Sequence, residues 1–296
     1  MSKYKIINSD CLEYMRSLQD ESVDFVITSP PYNIGKEYET KKSIDAYMIW
    51  MKSIIEEIHR VLKPDGSICW QTGNYVDNGE VFPLDIYFYG IFKDIGMKLR
   101  NRIIWHFGHG LHCSKRFSGR YETILWFTKS DSYTFNLDDV RIPQKYPNKK
   151  YFKGGRCGEL SCNPLGKNPE DFWIASIEKL YDDWDCGIFE ISNVKNNHPE
   201  KLDHPCQYPV ELVERCILAC TNVGDIVYDP FCGVGSTLVA SMLHERNSIG
   251  TELDEKYFKI ASDRLDSIEH GALNVKSVFG DIHIDNTEHT NRNKLF

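Results

Sequence analysis

One segment late in the chain constrains the fold more than any other. It predicts a strand over 224–228, a glycine-containing loop over 229–237, a helix over 237–244, and a strand over 247–250 that leads to Glu252. Strand, glycine turn, helix, strand and acidic residue form the first half of a doubly wound α/β unit. Because this unit lies in the last third of a 296-residue chain, we predict a circularly permuted order of elements.

Apolar periodicity predicts further elements on both sides of this unit. Strands are predicted over 3–9, 23–28 and 67–71, and helices over 12–18, 43–62, 81–95, 209–221 and 255–268. Two aromatic and β-branched runs, 99–107 and 122–129, predict antiparallel strands at the sheet edge. Residues 130–201 lack periodicity, which indicates an inserted lobe or a long loop. We therefore predict an α/β domain over 1–129 and 202–280, an insert over 130–201, and a polar tail over 281–296 that is loose at its end.

The predicted strand over 23–28 leads into the tetrapeptide Ser29-Pro30-Pro31-Tyr32. Each proline fixes one φ angle and lacks an N–H donor, so the loop is stiff and its carbonyls can accept hydrogen bonds from another molecule. Tyr32 adds a flat face on which a base can stack. By itself, the tetrapeptide is also compatible with a rigid turn that exposes a tyrosine.

The glycine loop predicts a binding site for a nucleotide-like cofactor. Gly233 and Gly235 let the backbone approach a ligand closely. Ser236 and Thr237 can offer N–H groups to a carboxylate at the start of the next helix. An acidic residue at the position of Glu252 commonly binds the two hydroxyls of a ribose. The glycine spacing alone does not separate S-adenosylmethionine from NAD, nor either of them from an ordinary tight turn.

Together, the segments 29–32 and 229–237 resemble the catalytic and cofactor motifs of the beta-group DNA amino-methyltransferases. These enzymes move a methyl group from S-adenosylmethionine to the exocyclic amine of cytosine or adenine. His204-Pro205-x-Gln207-x-Pro209 resembles the segment that packs against the cofactor just before the family's cofactor motif. Asp10, followed by Cys11, matches a position that usually meets the cofactor's adenine. The order of the motifs along the chain is that of the beta group.

The resemblance implies a Rossmann-like methyltransferase sheet in which the two motifs share one cleft, with 130–201 as the target recognition region. It implies a catalytic group of Ser29, Pro30, Pro31 and Tyr32. It implies a cofactor site composed of Asp10, Cys11, His204, Gln207, Asp229, Pro230, Phe231, Cys232, Gly233, Gly235, Ser236, Thr237 and Glu252. It also implies double-stranded DNA as the substrate. Because the family often accompanies restriction enzymes, it implies a cognate restriction endonuclease as a possible partner.

The exocyclic amine of a base is a poor nucleophile because its lone pair is delocalised into the ring. Two acceptors, the Pro30 carbonyl and Ser29 Oγ, can localise that pair by binding the amine hydrogens. We therefore expect direct transfer, without a metal and without a covalent enzyme intermediate. In the family, Asp at the first position goes with adenine N6 and Ser is commoner among cytosine-N4 enzymes. Ser29 thus favours cytosine N4, with adenine N6 as the alternative.

The formal net charge of −8 conceals a basic stretch. Between Lys98 and Glu170 the sequence has 14 Lys and Arg residues and only 6 Asp and Glu residues. A local basic field is what contact with phosphates requires. We predict DNA contacts from Lys115, Arg116, Arg120, Lys149 and Lys150, although a lysine run is equally typical of a solvated loop.

Other functions share parts of this pattern. A second class of enzymes uses a similar Asn-Pro-Pro-Tyr loop to methylate glutamine side chains in proteins, and enzymes with related loops act on RNA bases. Ser29 and the basic stretch favour DNA. A non-enzymatic DNA-binding regulator would not need the intact motifs. Pro205-Cys206-Gln207 spells the nucleophile motif of cytosine-C5 methylases. In those enzymes, however, the glycine motif precedes the cysteine, whereas here it follows.

The ten cysteines form no Cys-x-x-Cys pair, and the chain starts without an apolar signal segment. No apolar run reaches the roughly 18 residues that a membrane helix needs. These features predict a cytoplasmic protein with reduced thiols. His109, His112 and Cys113 match no common zinc-finger spacing, so we expect no metal. The sequence does not decide between a monomer and a homodimer.

Overall fold

A computed structural model describes residues 2–36, 39–107, 112–144, 146–174, 191, 194, 198–270, 273–277 and 280–284. Its strands are β1 (Tyr4–Asn8), β2 (Val23–Thr28), β3 (Leu62–Thr72), β4 (Asn74–Asp77), β5 (Glu80–Pro83), β6 (Lys98–His106), β7 (Tyr121–Thr128), β8 (Phe172–Ile174), β9 (Ile226–Asp229), β10 (Asn247–Glu252), β11 (Leu273–Ser277) and β12 (Gly280–Ile284). Its helices are α1 (Cys11–Ser17), α2 (Ile44–Val61), α3 (Leu84–Asp94), α4 (Val210–Cys220), α5 (Ser236–Leu243) and α6 (Glu255–Glu269), and a short 3₁₀ helix covers Leu137–Val140.

Eight of these strands form one sheet, in the order β1-β10-β9-β2-β3-β7-β6-β8. The first five strands in this order are parallel to one another. Strand β7 runs antiparallel to both β3 and β6. Two hairpins, β4-β5 and β11-β12, lie outside the sheet. The carboxyl end of β6 therefore lies at the same edge of the sheet as the carboxyl ends of β2, β3 and β9.

Helices cover both faces of the sheet because its central strands carry apolar side chains on both sides. Helices α1, α2 and α3 pack on one face, where Ile55 and Phe88 are fully buried. Helices α4, α5 and α6 pack on the other, where Ile217 and Leu265 are fully buried. This two-sided core confirms the predicted doubly wound α/β fold.

Two helix starts are fixed at the edge of the sheet where β1 and β10 end. Asp10 accepts hydrogen bonds from the N–H groups of Leu12 and Glu13, at 2.9 and 3.2 Å. Asp254 does the same for the first turn of α6, at 2.9 and 3.2 Å. Each carboxylate satisfies N–H groups that have no partner within the helix. The caps hold two carboxylates close to the same edge.

The sheet reverses its winding between β9 and β2, which are neighbours. From β9 the chain passes through α5 to β10, whereas from β2 it passes through α2 to β3 on the opposite side. In open α/β sheets, ligands bind outside the carboxyl ends of the strands at this kind of switch point. Thr28 ends β2 and Asp229 ends β9, and Thr28 Oγ1 donates a hydrogen bond of 2.6 Å to Asp229 Oδ1.

Some predicted elements differ from the structure. The helix predicted from residue 81 begins only at Leu84, because Glu80–Pro83 pairs with Asn74–Asp77 as a hairpin. The pair β6-β7 is antiparallel as predicted, but it does not form the sheet edge, since β8 pairs with the outer side of β6. That third strand was missed because three residues carry no periodic signal.

The insert, residues 130–201, is attached to the α/β domain near its start and again past its middle. Close to its start, the Asn136 N–H donates to Ala219 O at 2.7 Å and its side chain donates to Thr221 O at 2.8 Å. Further along, β8 extends the main sheet. The insert thus contributes a strand to the sheet, and the predicted boundaries at 129 and 202 stay predictions.

The first four residues of the predicted tail, 281–296, have regular structure. Asp281 to Ile284 belong to β12 and pair with β11. Residues 285–296 lie outside the described part of the chain.

Gly250 in β10 leaves no room for a side chain. A Cβ there would lie 2.8 Å from Leu238 Cδ1 and 2.9 Å from Cys232 Sγ. We expect Gly250→Ala to lower the free energy of unfolding by about 1–3 kcal/mol, because packed neighbours must shift. Gly90→Ala in α3 is the matched control, since nothing lies within 4 Å of its Cβ, and it should raise stability by about 0.5–1 kcal/mol. Urea unfolding measures both changes, and an unaltered midpoint for Gly250→Ala would contradict this packing.

Candidate active site

A cleft of about 680 Å³ opens at the switch point between β2 and β9. Its walls include Ser29, Pro30, Pro31 and Tyr32 from the loop after β2, and Pro230, Phe231 and Gly233 from the loop after β9. The volume lies within the range of about 300–1,000 Å³ typical of small-molecule sites. Two segments that are distant in sequence therefore share one cleft.

The loop after β2 is held rigidly by its own side chains and by α2. Ser29 Oγ and the Tyr32 hydroxyl are 3.0 Å apart. The buried Tyr47 hydroxyl donates to the Pro31 carbonyl at 2.5 Å, and burial raises the pKa of Tyr47, which keeps this donor protonated. One edge of the Tyr32 ring packs on Gly73, where a Cβ would lie 3.1 Å from the ring. The tyrosine face and the serine oxygen are thus fixed in place.

Past the tyrosine, a carboxylate closes the loop. Glu39 accepts hydrogen bonds from the N–H groups of Asn33 and Ile34, at 2.8 and 2.7 Å. Asn33 adopts a φ of +61° and its side chain bonds both ways with the Lys42 backbone, at 2.7 and 2.8 Å. These contacts determine where the chain leaves the cleft.

Asp229 lies beneath the cleft and is completely buried. Its carboxylate accepts hydrogen bonds from Thr28 and Thr237, each at 2.6 Å, from Tyr208 at 2.7 Å, and from the Phe231 N–H at 3.1 Å. Burial raises the pKa of this carboxyl, and the four hydrogen bonds oppose that rise. Asp229 therefore supports both loops from below and does not line the cleft.

The glycine loop is shaped by positive φ angles and by Glu252. Gly233 and Gly235 have φ of +51° and +80°, a region that favours glycine. The Gly233 N–H donates to Glu252 Oε2 at 2.9 Å, and the Asp254 N–H donates to Glu252 Oε1 at 2.9 Å. Burial raises the pKa of Glu252. Its carboxylate is thereby oriented at the wall of the cleft, directly after β10.

The structure separates the predicted cofactor residues into two groups. Those that line the cleft are Asp10, Cys11, His204, Pro230, Phe231, Gly233 and Glu252. Those that lie behind its wall are Gln207, Asp229, Cys232, Gly235, Ser236 and Thr237. Gln207, for example, donates to Glu200 O at 2.7 Å and accepts from the Leu202 N–H at 3.0 Å. The residues of the second group shape the site from the core.

Several residues that line the cleft were not predicted from the sequence. Trp50 in α2 meets Phe231 edge-to-face with ring centres 6.2 Å apart, and Lys42 Nζ lies 5.5 Å from the centre of the Trp50 ring. Tyr257 in α6 packs against His204 at 4.5 Å. The sequence does contain a signal for Trp50. The other apolar residues of this helix are sufficient to form its core-facing stripe, so a further large aromatic residue indicates a binding role.

The lining of the cleft is predominantly acidic. Carboxylates come from Asp10, Glu39, Glu252, Asp254 and Glu255, against Lys42 as the lysine among the lining residues. Burial, together with the neighbouring Asp10 carboxylate, raises the pKa of Cys11 to about 12, so this thiol is neutral. A cleft of this kind attracts a cationic ligand.

The structure does not join the predicted DNA-contacting residues into one cluster. Lys115 and Arg116 are exposed and Arg120 is partly exposed, on the segment that connects β6 to β7 at the same edge as the cleft. Lys149 and Lys150 are exposed in the insert. Phe117, next to Arg116, is completely exposed. Among the described residues of this set, the sheet topology places those of the β6-β7 segment at the same edge of the sheet as the cleft.

Within the described residues, no helix is long and apolar enough to cross a membrane. Nor do three His, Cys, Asp or Glu side chains in that part of the chain converge in a way that could hold a metal ion. His109, one of the residues weighed for zinc, lies outside the described residues.

Residues 23–263 match the family model of the N6 and N4 DNA methylases. The chain belongs to this DNA methylase family. It is therefore an enzyme, a DNA methyltransferase of the type that modifies exocyclic amines, as the two motifs predict. The match spans both loops of the cleft and the insert between them.

Relatives and solved structures agree with this family. The type II methyltransferase M.BglII of Bacillus subtilis is 48% identical over 258 residues, which cover 87% of this chain and 67% of the relative. The DNA adenine methyltransferase YhdJ of Escherichia coli strain K12 is 31% identical over 274 residues, covering 90% and 83%. The structure of the cytosine-N4-specific PvuII DNA methyltransferase matches with a TM-score of 0.66 at 21% identity, covering 88% and 86%. That likeness shows the shared Rossmann-like methyltransferase fold.

Proposed function

We propose that this DNA methyltransferase modifies cytosine at N4, at a specific site in double-stranded DNA, as part of a restriction-modification system. The observation that carries the proposal is the cleft itself, which brings the Ser29–Tyr32 loop and the Gly233 loop together. Ser29 at the first position of the loop favours cytosine. Adenine N6 is the alternative, because two acceptors can bind either amine, and a relative at 31% identity is named as an adenine enzyme.

The methyl donor is S-adenosylmethionine. Its sulfonium and ammonium groups give it a net positive charge, which fits the acidic lining of the cleft. Asp10 and Glu252 would hold its adenosine part, beside the faces of Phe231 and Trp50. Gly233 leaves room next to His204, whose ring would be 3.4 Å from a Cβ at that position. When bound, the cofactor supplies an electrophilic methyl group.

Ser29 Oγ and the Pro30 carbonyl would each accept one hydrogen of the target amine. This localises the nitrogen lone pair and directs it into the cleft. The Tyr32 ring, held against Gly73, provides the surface on which a base stacks after it leaves the duplex. The role of the enzyme is thus positioning and electrostatic, with no covalent bond to the base.

Duplex DNA would approach over the β6-β7 segment, which lies at the same edge of the sheet as the cleft. Lys115 and Arg116, both exposed on this segment, would contact phosphates. The insert, with Lys149 and Lys150, is proposed as the target recognition region. A cognate restriction endonuclease is the expected partner, since the relative M.BglII is a type II methyltransferase. The cytoplasmic location predicted from the sequence belongs to the same proposal.

The direct test is incubation of the protein with methyl-labelled S-adenosylmethionine and unmethylated genomic DNA, RNA or protein extract. We expect label in DNA, and N4-methylcytosine after nucleoside digestion. N6-methyladenine instead would select the alternative base. Label in RNA or protein, with none in DNA, would refute the proposal.

Two substitutions separate the roles of the two loops. Tyr32→Ala should slow turnover by roughly 10- to 100-fold, the value of one lost stacking contact, and should leave cofactor affinity unchanged. Gly233→Val should weaken cofactor binding by at least about tenfold, because it adds bulk at a positive φ. Calorimetry with the cofactor alone and single-turnover kinetics measure both. Equal losses of cofactor affinity in the two variants would contradict the assignment of base binding to one loop and cofactor binding to the other.

Phosphate contact can be read from the salt dependence of binding. Lys115→Ala combined with Arg116→Ala should lower the magnitude of the slope of log K against log salt by about 1.8, or roughly 0.9 for each lost contact. Lys52→Ala combined with Lys93→Ala removes the same charge from exposed positions on α2 and α3 and serves as the control. Fluorescence anisotropy of a labelled duplex gives the slopes. Identical slopes for the two double variants would rule out this DNA surface.

A further inference from the structure

A partly buried carboxylate lies behind the Ser29–Tyr32 loop and was not among the predicted site residues. Glu122, in β7, accepts a hydrogen bond from the Tyr32 hydroxyl at 3.4 Å. The Gln71 amide donates to the same oxygen, Oε2. Since Ser29 Oγ is 3.0 Å from the Tyr32 hydroxyl, a continuous chain of hydrogen bonds leads from the wall of the cleft to Glu122.

The described side chains around Glu122 do not include a positive charge that would account for a carboxylate at this position. Within the described residues, the titratable group that faces it is Tyr32, while Gln71 from β3 and Trp105, opposite it in β6, are uncharged. Burial raises the pKa of Glu122 to about 7, and the hydrogen bonds from Tyr32 and Gln71 only partly oppose this rise. A glutamine would accept the same hydrogen bonds without the cost of burying a charge. An ionisable group retained in such a place is typical of a functional site.

The charge of Glu122 sets the direction of the whole chain. When Glu122 is ionised it can only accept, so Tyr32 donates to it and Ser29 donates to Tyr32. The lone pairs of Ser29 Oγ then point away from Tyr32 and remain free to accept a hydrogen of the target amine. When Glu122 is protonated it can donate to Tyr32, which can then turn its own hydrogen toward Ser29.

Methyl transfer leaves one proton to be removed. The nitrogen–carbon bond forms as the sulfur–carbon bond breaks, the sulfur keeps the electron pair of that bond, and the nitrogen becomes positively charged. One N–H proton must then leave to restore a neutral base. Ser29 can accept it while passing its own proton to Tyr32, and Tyr32 can pass its proton to Glu122. Serine and tyrosine are neutral before and after, and the single proton ends on the carboxylate.

We propose that Glu122 is the terminal proton acceptor of the methyl-transfer reaction and orients Ser29 through Tyr32. It acts through other side chains and is therefore a positioning residue. This inference rests on the proposed function, in which Ser29 and Tyr32 bind the target base. It adds the destination of the proton and a reason for the glutamate in β7.

The first test follows the rate of the chemical step against pH. Below about pH 7, the wild-type single-turnover rate should rise tenfold per pH unit, and above it the rate should level off. Glu122→Gln should lower the rate by about 100-fold and abolish the rise, while the affinities for cofactor and DNA remain unchanged. Tyr32→Phe keeps the ring but breaks the chain, so it should abolish the rise as well. Glu56→Gln, at an exposed position of α2, should retain the wild-type profile.

The second test needs neither cofactor nor DNA. In protein labelled with carbon-13 at the glutamate carboxyls, one resonance should titrate near pH 7 and be absent from Glu122→Gln. A midpoint near the ordinary glutamate value in an active enzyme would overturn the inference and leave the proposed function intact. A slower Glu122→Gln with the wild-type pH dependence would likewise overturn it, as it would show a merely structural role. A wild type that methylates no DNA would refute the proposed function and, with it, the reaction this proton belongs to.

Discussion

The buried carboxylate of Asp229 is the interaction on which the geometry of the cleft depends. Its donors come from the end of β2, the start of α5 and the residue Tyr208 ahead of α4. Because Thr28 is followed directly by Ser29, this one carboxylate fixes the position of the loop after β2 relative to the loop after β9. Loss of a single donor would leave the buried carboxylate with one hydrogen bond fewer, which would lower the stability of the fold by about 1–3 kcal/mol. The precision of the cleft is thus set in the core beneath it.

Charge is distributed unevenly over the molecule. The cleft gathers carboxylates from three loops and attracts a cation, whereas the β6-β7 segment and the insert expose lysines and arginines. The β6-β7 segment lies at the same edge of the sheet as the cleft. The whole-chain charge of −8 averages over both and describes neither.

The sequence predicts the parts of the fold that depend on local pattern. The run Val23–Thr28 is largely apolar and leads through Ser29 into two prolines. In the structure it is a strand with those bounds. A further local signal was overlooked: Asn78-Gly79, with φ of +47° and +86°, forms the two-residue turn of the β4-β5 hairpin. The contacts of Glu122 were beyond such reasoning. Its strand was predictable, but its neighbours Gln71 and Tyr32 come from elements that only the folded sheet brings together.

The same contrast applies to the cofactor motif. The spacing of Gly233, Gly235 and Glu252 predicts the loop and its acidic neighbour, and in the structure Gly233 and Glu252 line the cleft while Gly235 lies behind its wall. Pattern alone could not show that Asp229 and Thr237 face the core while Phe231 faces the cleft. Which side of a loop a residue occupies depends on the packing of α4 and α6, and that packing is a property of the whole fold.

The way the insert is fastened has a consequence for how such enzymes diversify. Asn136 fixes its beginning to the end of α4, and β8 fixes its later part to β6. Between these two anchors, Val140 packs in the core of the α/β domain, whereas residues 146–160 are exposed and can change without disturbing the strands that carry the two loops of the cleft. In the proposed role of the insert as target recognition region, a preference for a new duplex sequence would require exchange of this exposed segment alone, while the reacting groups are inherited unchanged.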